Sequence, residues 1–247
     1  MSAAHSHDSA YLACPQVKIC GLTRPHEALA CAQMGVDAVG LVFFPKSPRH
    51  VSRQAAKSVV EVLKPGVAAV GVFVNASLDF IMQRVDDCGL SMVQLHGQEP
   101  PELVSRLRTE RVLVIKALFL DGVPGFDAAK DYPADAFLVE CAKGPLPGGN
   151  AKAWDWGAAR NFSNPHPLVL AGGLNPENVA RAIHAGRPAA VDVSSGVEMA
   201  PGRKDPQKVA RLLAAVQATA GAYDSDHLTP VFYPSPNNLA SDRESMP

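Results

Sequence analysis

Reactive side chains stand where apolar runs of the chain end, and the first of them is a cysteine. Cys20 closes the run Val17–Cys20, and Lys18 lies two residues before it. Because residues i and i+2 of a strand point to the same face, the ammonium of Lys18 could lower the pKa of the thiol. We therefore interpret Cys20 as a candidate general base. On composition alone, a buried structural cysteine is the commoner role.

Three further polar residues close later apolar runs. Glu140 follows Ala136–Val139, and a carboxyl in such a place can keep its proton near neutral pH and act as a general acid. The alternative is a carboxylate satisfied by backbone amides. Gln94 and His96 end the fourth run and are candidates for substrate binding. His96 could equally be a satisfied core histidine.

Glycine and serine residues follow the last two runs and favour an anion site. Gly172 and Gly173 follow the seventh run, and Ser194, Ser195 and Gly196 follow the eighth. Glycines let backbone N–H groups approach an anion closely, and serines add hydroxyl donors. We therefore predict a phosphate site between these two loops. Alone, the Gly-Gly pair could simply form a tight turn.

Two charged residues complete the candidate site. Arg49 follows the second run and could hold a carboxylate or phosphate with two parallel hydrogen bonds. The alternative is a solvated surface arginine. Asp192 belongs to the eighth run and is a candidate for substrate binding or for orienting the loop that follows it.

Eight short apolar runs alternate with amphipathic stretches along the chain. The predicted strands are Val17–Cys20, Ala38–Phe43, Ala68–Val74, Met92–His96, Val112–Ala117, Ala136–Cys141, Leu168–Ala171 and Ala190–Ser194. Continuous apolar strands are typical of parallel sheets that are buried on both faces. Eight such units predict an α/β protein with a (β/α)8 TIM barrel, whose active site lies at the carboxyl ends of the strands. An open doubly wound sheet is the alternative, but Cys20-Gly21-Leu22-Thr23 lacks its glycine-rich first turn.

Capping signals predict where several helices begin. Asp205–Pro206 and Asn175–Pro176 each combine an N-cap residue with a proline at the first helical position. Ser77 precedes a stretch with one apolar face. The fifth helix, around Phe126–Lys130, is predicted to be weak and no longer than one turn.

Composition limits the possible functions. The 247 residues are 47% apolar, enough for one large core, and 23 basic groups balance 24 acidic ones, which argues against a nucleic-acid surface. No apolar stretch has the ~20 residues of a membrane span, and the first 16 residues lack the pattern of a secretory signal. We expect a cytoplasmic protein. The five cysteines are scattered without a C-x-x-C pair, so neither a disulfide framework nor a zinc site is expected.

The two ends of the chain differ from the rest. We expect residues 1–16 to be a flexible extension, residues 17–221 to form one catalytic barrel, and residues 222–247 to be a disordered or loosely attached tail rich in Pro, Ser, Asn and Asp. His5 and His7 near Asp8 could bind a metal, but a solvated tail is the simpler interpretation.

Taken together, the motifs resemble the phosphoribosylanthranilate isomerases of tryptophan biosynthesis. The resemblance rests on KICGLT at 18–23, GLVF at 40–43, SPR at 47–49, GVFVN at 71–75, VQLHG at 93–97, LPGGN at 146–150, LAGGL at 170–174 and DVSSGVE at 192–198. These pieces occur in the family's order between residues 17 and 220, and the combination is specific although each piece alone is not.

The resemblance implies an Amadori rearrangement of a phosphosugar without metal or cofactor, by a monomer or homodimer. It assigns the general base to Cys20 and the anthranilate carboxylate to Arg49. The general acid falls on Glu140, where the family usually has aspartate. Ala151 also departs from the family, which commonly has glycine there.

Two other functions stay open at this point. Another phosphosugar barrel enzyme, such as indole-glycerol-phosphate synthase or a histidine-pathway isomerase, is one; the synthase needs a catalytic lysine, for which Lys116 and Lys18 are available. The other is a non-catalytic phosphosugar-binding protein, which the substitution at Glu140 keeps open. A turnover assay distinguishes these, because a binding protein does not consume its ligand.

Overall fold

Eight parallel strands form a closed barrel in the computed structural model, which describes residues 14–141, 153–162, 165–221 and 229–232. The strands are β1 (Gln16–Cys20), β2 (Ala38–Val42), β3 (Ala68–Phe73), β4 (Met92–Leu95), β5 (Leu113–Phe119), β6 (Ala136–Glu140), β7 (Leu168–Leu170) and β8 (Ala190–Val193). The predicted (β/α)8 barrel is confirmed, with every predicted strand in place to within two residues at each end.

The helices occupy the connections between strands. They are α1 (Pro25–Met34), α2 (Arg53–Glu61), α3 (Leu78–Cys88), α4 (Pro101–Thr109), α5 (Val179–Gly186) and α6 (Pro206–Gln217). Short 3₁₀ segments at Phe126–Asp131 and Trp156–Asn161 take the place of helices after β5 and β6. The weak fifth helix is a 3₁₀ segment of six residues, about two turns and not the single turn that was predicted. None of the helices in the described part of the chain is long and apolar enough to cross a membrane.

Two of the three predicted helix starts are confirmed. The side chains of Ser77 and Asp205 accept hydrogen bonds from backbone N–H groups in the first turns of α3 and α6. The start predicted at Asn175–Pro176 is wrong, because α5 begins at Val179. The Asn175 side chain instead accepts hydrogen bonds from the backbone N–H groups of Glu177 and Asn178, which stabilises a separate turn before the helix.

The register of β1 places its two reactive side chains inside the barrel. Lys18 lies opposite Asp192 of β8, and Cys20 lies opposite Gly40 of β2. Their neighbours Val17 and Ile19 belong to the core between the strands and the helices. Side chains alternate between the two faces of a strand, so Lys18 and Cys20 point to the barrel axis.

The chain after β8 returns to the mouth of the barrel. A 3₁₀ turn at Ser195–Val197 leads into two short antiparallel strands, β9 (Glu198–Ala200) and β10 (Arg203–Lys204). Lys204 is paired with Glu198 in this hairpin. The hairpin thereby brings the charged side chains of Glu198 and Lys204 beside the ends of β1 and β8.

Residues 229–232 cover the opposite, amino-terminal end of the barrel. Val231 and Phe232 are buried among small inward-facing residues such as Ala38 and Ala190. Their backbone N–H groups donate to Gln16 Oε1 at 2.7 and 3.0 Å. These four residues differ from the loosely attached tail that was expected, because small side chains at the barrel floor leave room for a valine and a phenylalanine. The remainder of that tail and residues 1–13 lie outside the described residues.

Candidate active site

The polar side chains that end the strands meet at the carboxyl-terminal mouth of the barrel. Cys20, Gln94, His96, Glu140 and Asp192 are all buried, with no more than 9% of any of them exposed. They come from β1, β4, β6 and β8, or from the residue directly after the strand. The fold therefore brings together residues that are far apart in the sequence.

Cys20 shares a small space with a lysine and an aspartate. Lys18 is fully buried, and its Nζ lies 3.0 Å from Asp192 Oδ1. A side-chain carbon at Gly40 would lie 2.7 Å from Cys20 Sγ and 3.0 Å from Lys18 Nζ. Because Gly40 has no side chain, the Cys20 thiol and the Lys18 ammonium can both occupy this space. Asp192 holds the Lys18 ammonium in this space.

Burial has the largest effect on the Cys20 thiol and raises its pKa. The cation of Lys18 lowers that pKa, as the sequence suggested, but Asp192 raises it, and the net pKa lies above the ordinary value. Burial also opposes the charge of Lys18, yet Asp192 and Cys20 outweigh it, so the pKa of Lys18 is raised. The pair thus places an ammonium beside a thiol that is mostly protonated at neutral pH.

A second cluster joins Glu140 to two residues of β4 and its end. His96 Nε2 lies 3.0 Å from Glu140 Oε1, and Gln94 Nε2 lies 2.9 Å from His96 Nδ1. Both ring nitrogens of His96 are therefore engaged, and the Gln94 side chain is 1% exposed. Substrate binding by Gln94 and His96 stays a prediction.

Arg49 is buried in a bidentate ion pair and is not a solvated surface residue. Its Nε donates to Glu198 Oε1 at 2.9 Å, and its Nη2 donates to Glu198 Oε2 at 2.7 Å. Gly21, which has a φ of +79°, lets the arginine cross the end of β1, since a Cβ there would lie 2.5 Å from Arg49 Cδ. Two donors of the guanidinium are used, and three of its five N–H groups remain for other partners.

Glu198 and Lys204 are functional candidates that the sequence analysis missed. Lys204 Nζ donates to Glu198 Oε1 at 2.8 Å and to the Ser194 carbonyl at 3.1 Å. Burial alone would raise the pKa of Glu198, but hydrogen bonds from Arg49 and Lys204 bring it below its usual value. Burial lowers the pKa of Lys204. In the sequence, Glu198 is the last residue of the DVSSGVE motif, and the Pro201–Gly202 turn returns the chain towards it.

The loops after β7 and β8 are in direct contact. Gly172 and Gly173 have φ values of +88° and +68°, which glycine adopts without strain. A Cβ at Gly196 would collide with the Leu174 carbonyl oxygen. The predicted anion-binding residues are therefore side by side, at the mouth of the barrel.

The loop ends are fixed by hydrogen bonds. The Ser194 hydroxyl donates to the Cys20 carbonyl at 3.0 Å, so it connects β8 to β1 and is already engaged. The indole N–H groups of Trp154 and Trp156 donate to the carbonyls of Ala171 and Gly172 at 2.9 and 3.1 Å. The LPGGN motif and Ala151, in contrast, lie outside the described residues.

Lys116 points away from the mouth. It belongs to β5 but faces the layer between strands and helices, where its Nζ lies 2.8 Å from Glu99 Oε2 and also donates to the Gly97 carbonyl. Burial lowers its pKa. Within the described ranges, no group of three or more metal-ligating side chains is found.

Comparison with known proteins decides the family. A family model described as N-(5'-phosphoribosyl)anthranilate (PRA) isomerase matches residues 17–215. The chain belongs to this family. The resemblance seen in the sequence is thereby confirmed.

Curated relatives agree over most of the barrel. The chain is 51% identical over 208 residues to the N-(5'-phosphoribosyl)anthranilate isomerase of Desulfatibacillum aliphaticivorans, covering 84% of this chain and 95% of that protein. It is 45% identical over 205 residues to the isomerase of Citrifermentans bemidjiense, covering 83% and 98%.

Solved structures of the family have the same fold. The Thermotoga maritima isomerase is 40% identical with a TM-score of 0.73, covering 83% of this chain and 99% of that one. The Thermus thermophilus isomerase is 37% identical with a TM-score of 0.75, covering 82% and 98%. A Clostridium perfringens N-acetylmannosamine-6-phosphate 2-epimerase, at 14% identity and a TM-score of 0.56, shares the fold alone.

Proposed function

We propose that Cys20 and Glu140 catalyse the Amadori rearrangement of N-(5'-phosphoribosyl)anthranilate to 1-(2-carboxyphenylamino)-1-deoxyribulose 5-phosphate. Family membership gives the reaction, an aldose–ketose isomerisation of tryptophan biosynthesis, in preference to the other phosphosugar enzymes. One observation supports the residue roles. The buried thiol of Cys20 and the buried carboxyl of Glu140 are the last residues of β1 and β6, and both face the inside of the barrel at the same mouth.

The reaction needs one acid and one base. Glu140 gives a proton to the furanose ring oxygen, the bond from that oxygen to C1′ breaks, and the nitrogen lone pair forms the C=N bond of a Schiff base. The Cys20 thiolate then removes the C2′ proton, which gives an enolamine that tautomerises to the ketone. Because the substrate nitrogen supplies the electron pair, we propose that no metal or cofactor takes part.

The substrate has two charged groups, a carboxylate and a phosphate, and we assign each to a different part of the site. We propose that the remaining guanidinium N–H groups of Arg49 hold the anthranilate carboxylate, with Glu198 fixing the orientation of the arginine. The phosphate is assigned to the loops at Gly172–Gly173 and Ser194–Gly196. Ser194 takes part through its backbone, since its hydroxyl is engaged with β1. His96 and Asp192 orient the acid and the lysine beside the base.

The position of Lys116 argues against the synthase alternative. A catalytic lysine of β5 would have to point into the mouth, and Lys116 faces the outer layer in a buried ion pair with Glu99. Lys18 does point inward, but it is fully buried and held by Asp192. We therefore assign it to the environment of Cys20.

Turnover of phosphoribosylanthranilate, followed by the loss of its fluorescence, tests the proposal. Glu140→Gln should nearly abolish kcat, because an amide cannot donate a proton at neutral pH, whereas Glu140→Asp should keep measurable activity. Cys20→Ser should lower kcat by ~10²–10⁴-fold, the usual contribution of a positioned proton-transfer group. A wild-type protein that binds the substrate without consuming it would be a binding protein. A Glu140→Gln variant with most of its activity, together with an inactive Asp192→Asn, would exchange these two roles.

The assembly and the cellular location of the protein are further proposals. We propose a catalytic unit of residues 17–221 that works in the cytoplasm as a monomer or homodimer and contacts neither nucleic acid nor membrane. The Thermotoga maritima isomerase is described as dimeric, which supports a homodimer. Sedimentation of the purified protein tests the assembly.

A further inference from the structure

The Gln94 carboxamide has one paired and one unpaired end. Its Nε2 lies 2.9 Å from His96 Nδ1, while its Oε1 is buried without a hydrogen-bond partner in the described part of the chain. Burying an unpaired carbonyl oxygen is unfavourable. Half a turn of the amide would point this oxygen at Nδ1 and move the N–H groups to the unpaired side, so one end of the amide lacks a partner in either orientation. What the orientation decides is whether His96 Nδ1 faces a donor or an acceptor.

An amide N–H that points at Nδ1 fixes the state of the imidazole. Nδ1 has to be the acceptor, so the single proton of the neutral ring lies on Nε2. Nε2 is the atom that lies 3.0 Å from Glu140 Oε1, and it therefore donates to that oxygen. The same amide opposes a second proton on Nδ1, because two donors would face each other.

This state of His96 suits an acid at Glu140. Oε1 already accepts the imidazole N–H, so a proton carried by Glu140 lies on Oε2, free of the imidazole. A charged imidazolium would instead favour the ionised carboxylate, which has no proton to give. A neutral His96 with its proton on Nε2 keeps the acid proton away from the imidazole, and it favours the ionised carboxylate less than an imidazolium does.

We propose that Gln94 is a positioning residue: it sets the tautomer and charge of His96, and His96 places the acid proton of Glu140 on Oε2. This inference rests on the proposed role of Glu140 as general acid. In this role Gln94 is not a catalytic residue, since it acts through His96.

The side chains that pack directly against Gln94, His96 and Glu140 carry no charge that would set the protonation of His96. The Phe119 ring of β5 packs edge-on against His96 with centroids 5.6 Å apart, Val72 of β3 is the register neighbour of Gln94, and Gly172 lies beside the Cβ of Glu140. All three are uncharged. Other charged and titratable groups at the strand ends include Lys18, Cys20, Arg49, Asp192, Glu198 and Lys204 on or after β1, β2 and β8, and Cys141 directly after Glu140.

Nitrogen-15 NMR of histidine-labelled wild-type protein tests the first step without any assay of activity. The signals of His96 are identified as those lost in His96→Asn. In its neutral form, His96 should show a protonated Nε2 and an unprotonated Nδ1. A neutral ring that carries its proton on Nδ1 would overturn the proposal.

Gln94→Glu tests the second step, because a carboxylate replaces the donor by an acceptor. His96 should become doubly protonated at a pH where the wild-type ring is neutral, and kcat should fall by about tenfold or more, part of the ~10²–10⁴-fold that a positioned acid contributes. Gln98→Glu, the same change at an exposed position after β4, should leave both readouts unchanged. A neutral Nε2–H ring and wild-type kcat in Gln94→Glu would overturn the proposal.

Gln94→Met keeps the test available should the buried carboxylate prevent folding. This variant removes the donor without adding a charge, so His96 should populate both neutral tautomers and kcat should fall while KM changes little. A single Nε2–H tautomer with unchanged kcat would contradict the role of Gln94. Full activity of Glu140→Gln would instead overturn the proposed function itself. An inactive Glu140→Gln beside an unaffected Gln94→Glu overturns only the inference about Gln94.

Discussion

Cys20 lies among groups that act on its thiol in opposite directions. Burial raises its pKa most, the Lys18 ammonium lowers it, and Asp192 raises it again. At neutral pH, the thiolate is therefore a minor form. A thiolate with a high pKa is also a stronger base once formed, and this offsets part of its scarcity in the removal of a carbon-bound proton.

Removing the lysine should make the base harder to ionise. In Lys18→Met, the cation that lowers the Cys20 pKa is gone and Asp192 is left to raise it, so the rise of kcat/KM with increasing pH should move to higher pH. Each unit of that shift reduces the thiolate fraction at neutral pH roughly tenfold. The pH dependence of kcat/KM measures it, with the exposed Lys57→Met on α2 as the control. An unchanged profile in a folded Lys18→Met would remove Lys18 from the environment of the base.

Arg49 allows a binding test that should leave the fold intact. In Arg49→Ala, Glu198 keeps its 2.8 Å contact with Lys204, so no carboxylate is left unpaired. KM should rise by about tenfold or more with a smaller change in kcat, because a charge-assisted bond to the substrate carboxylate is worth ~1.5–3 kcal/mol. Arg49→Lys should rescue only part of this, since the bidentate fork is lost. Steady-state kinetics measure both constants. A wild-type KM in Arg49→Ala would mean that the arginine pairs with Glu198 and does not bind the substrate.

At the scale of elements, the mouth depends on two loops that touch at a glycine. The loop after β8 approaches the loop after β7 so closely that any side chain at Gly196 meets the Leu174 carbonyl. The Asn178 side chain donates to the Gly173 carbonyl at 2.9 Å and holds the first loop from behind. A larger residue at position 196 would therefore have to push the two loops apart.

Gly196→Ala should separate these loops and weaken the phosphate site. We expect KM to rise and inorganic phosphate to become a poorer competitive inhibitor, while the environment of Cys20 is unchanged. Phosphate inhibition constants measure the effect. Gly35→Ala is the control: it strains a left-handed glycine at the end of α1 that has nothing within 4 Å, so it should lower stability without changing phosphate inhibition. Equal phosphate inhibition in wild type and Gly196→Ala would move the anion site elsewhere.

The strands could be predicted because their signal is local. Apolar runs of four to seven residues indicate strands that are buried on both faces. Ser77 and Asp205 indicate the starts of α3 and α6, because an N-cap residue and the backbone N–H groups that it binds lie within four residues of each other. Asn175 carries the same cap-and-proline signal, yet the following residues form a turn held by its side chain. The local pattern does not distinguish a turn from the first turn of a helix.

Contacts between distant residues could not be predicted in the same way. Strand ends indicated that Cys20, Glu140 and His96 share one mouth, since that follows from the barrel alone. The pairing of Arg49 with Glu198 depends instead on the path of the hairpin formed by β9 and β10. The burial of Phe232 depends on small residues in β2 and β8, more than 35 residues away in sequence.

The molecule as a whole has two unlike ends. The carboxyl-terminal mouth holds buried charges that are paired with one another, among them Arg49 with Glu198 and Lys18 with Asp192. The amino-terminal floor has small apolar residues covered by Val231 and Phe232. The proposed catalytic residues and the apolar contacts of the floor therefore lie at opposite ends of the barrel axis. A substitution at the floor should lower the free energy of unfolding without changing catalysis.

Phe232→Ala tests this separation. The variant should lose up to ~3–5 kcal/mol of unfolding free energy, because a fully buried ring leaves a cavity at the barrel floor. For a protein of this size, that loss lowers the melting temperature by roughly 6–20 °C. Thermal unfolding followed by circular dichroism measures it, and kcat and KM below the transition should stay at wild-type values. Phe80→Ala, at a ring that is 36% exposed on α3, should cost clearly less. An unchanged melting temperature in Phe232→Ala would show that residues 229–232 do not hold the floor in solution. A loss of kcat would show that the two ends of the barrel are coupled.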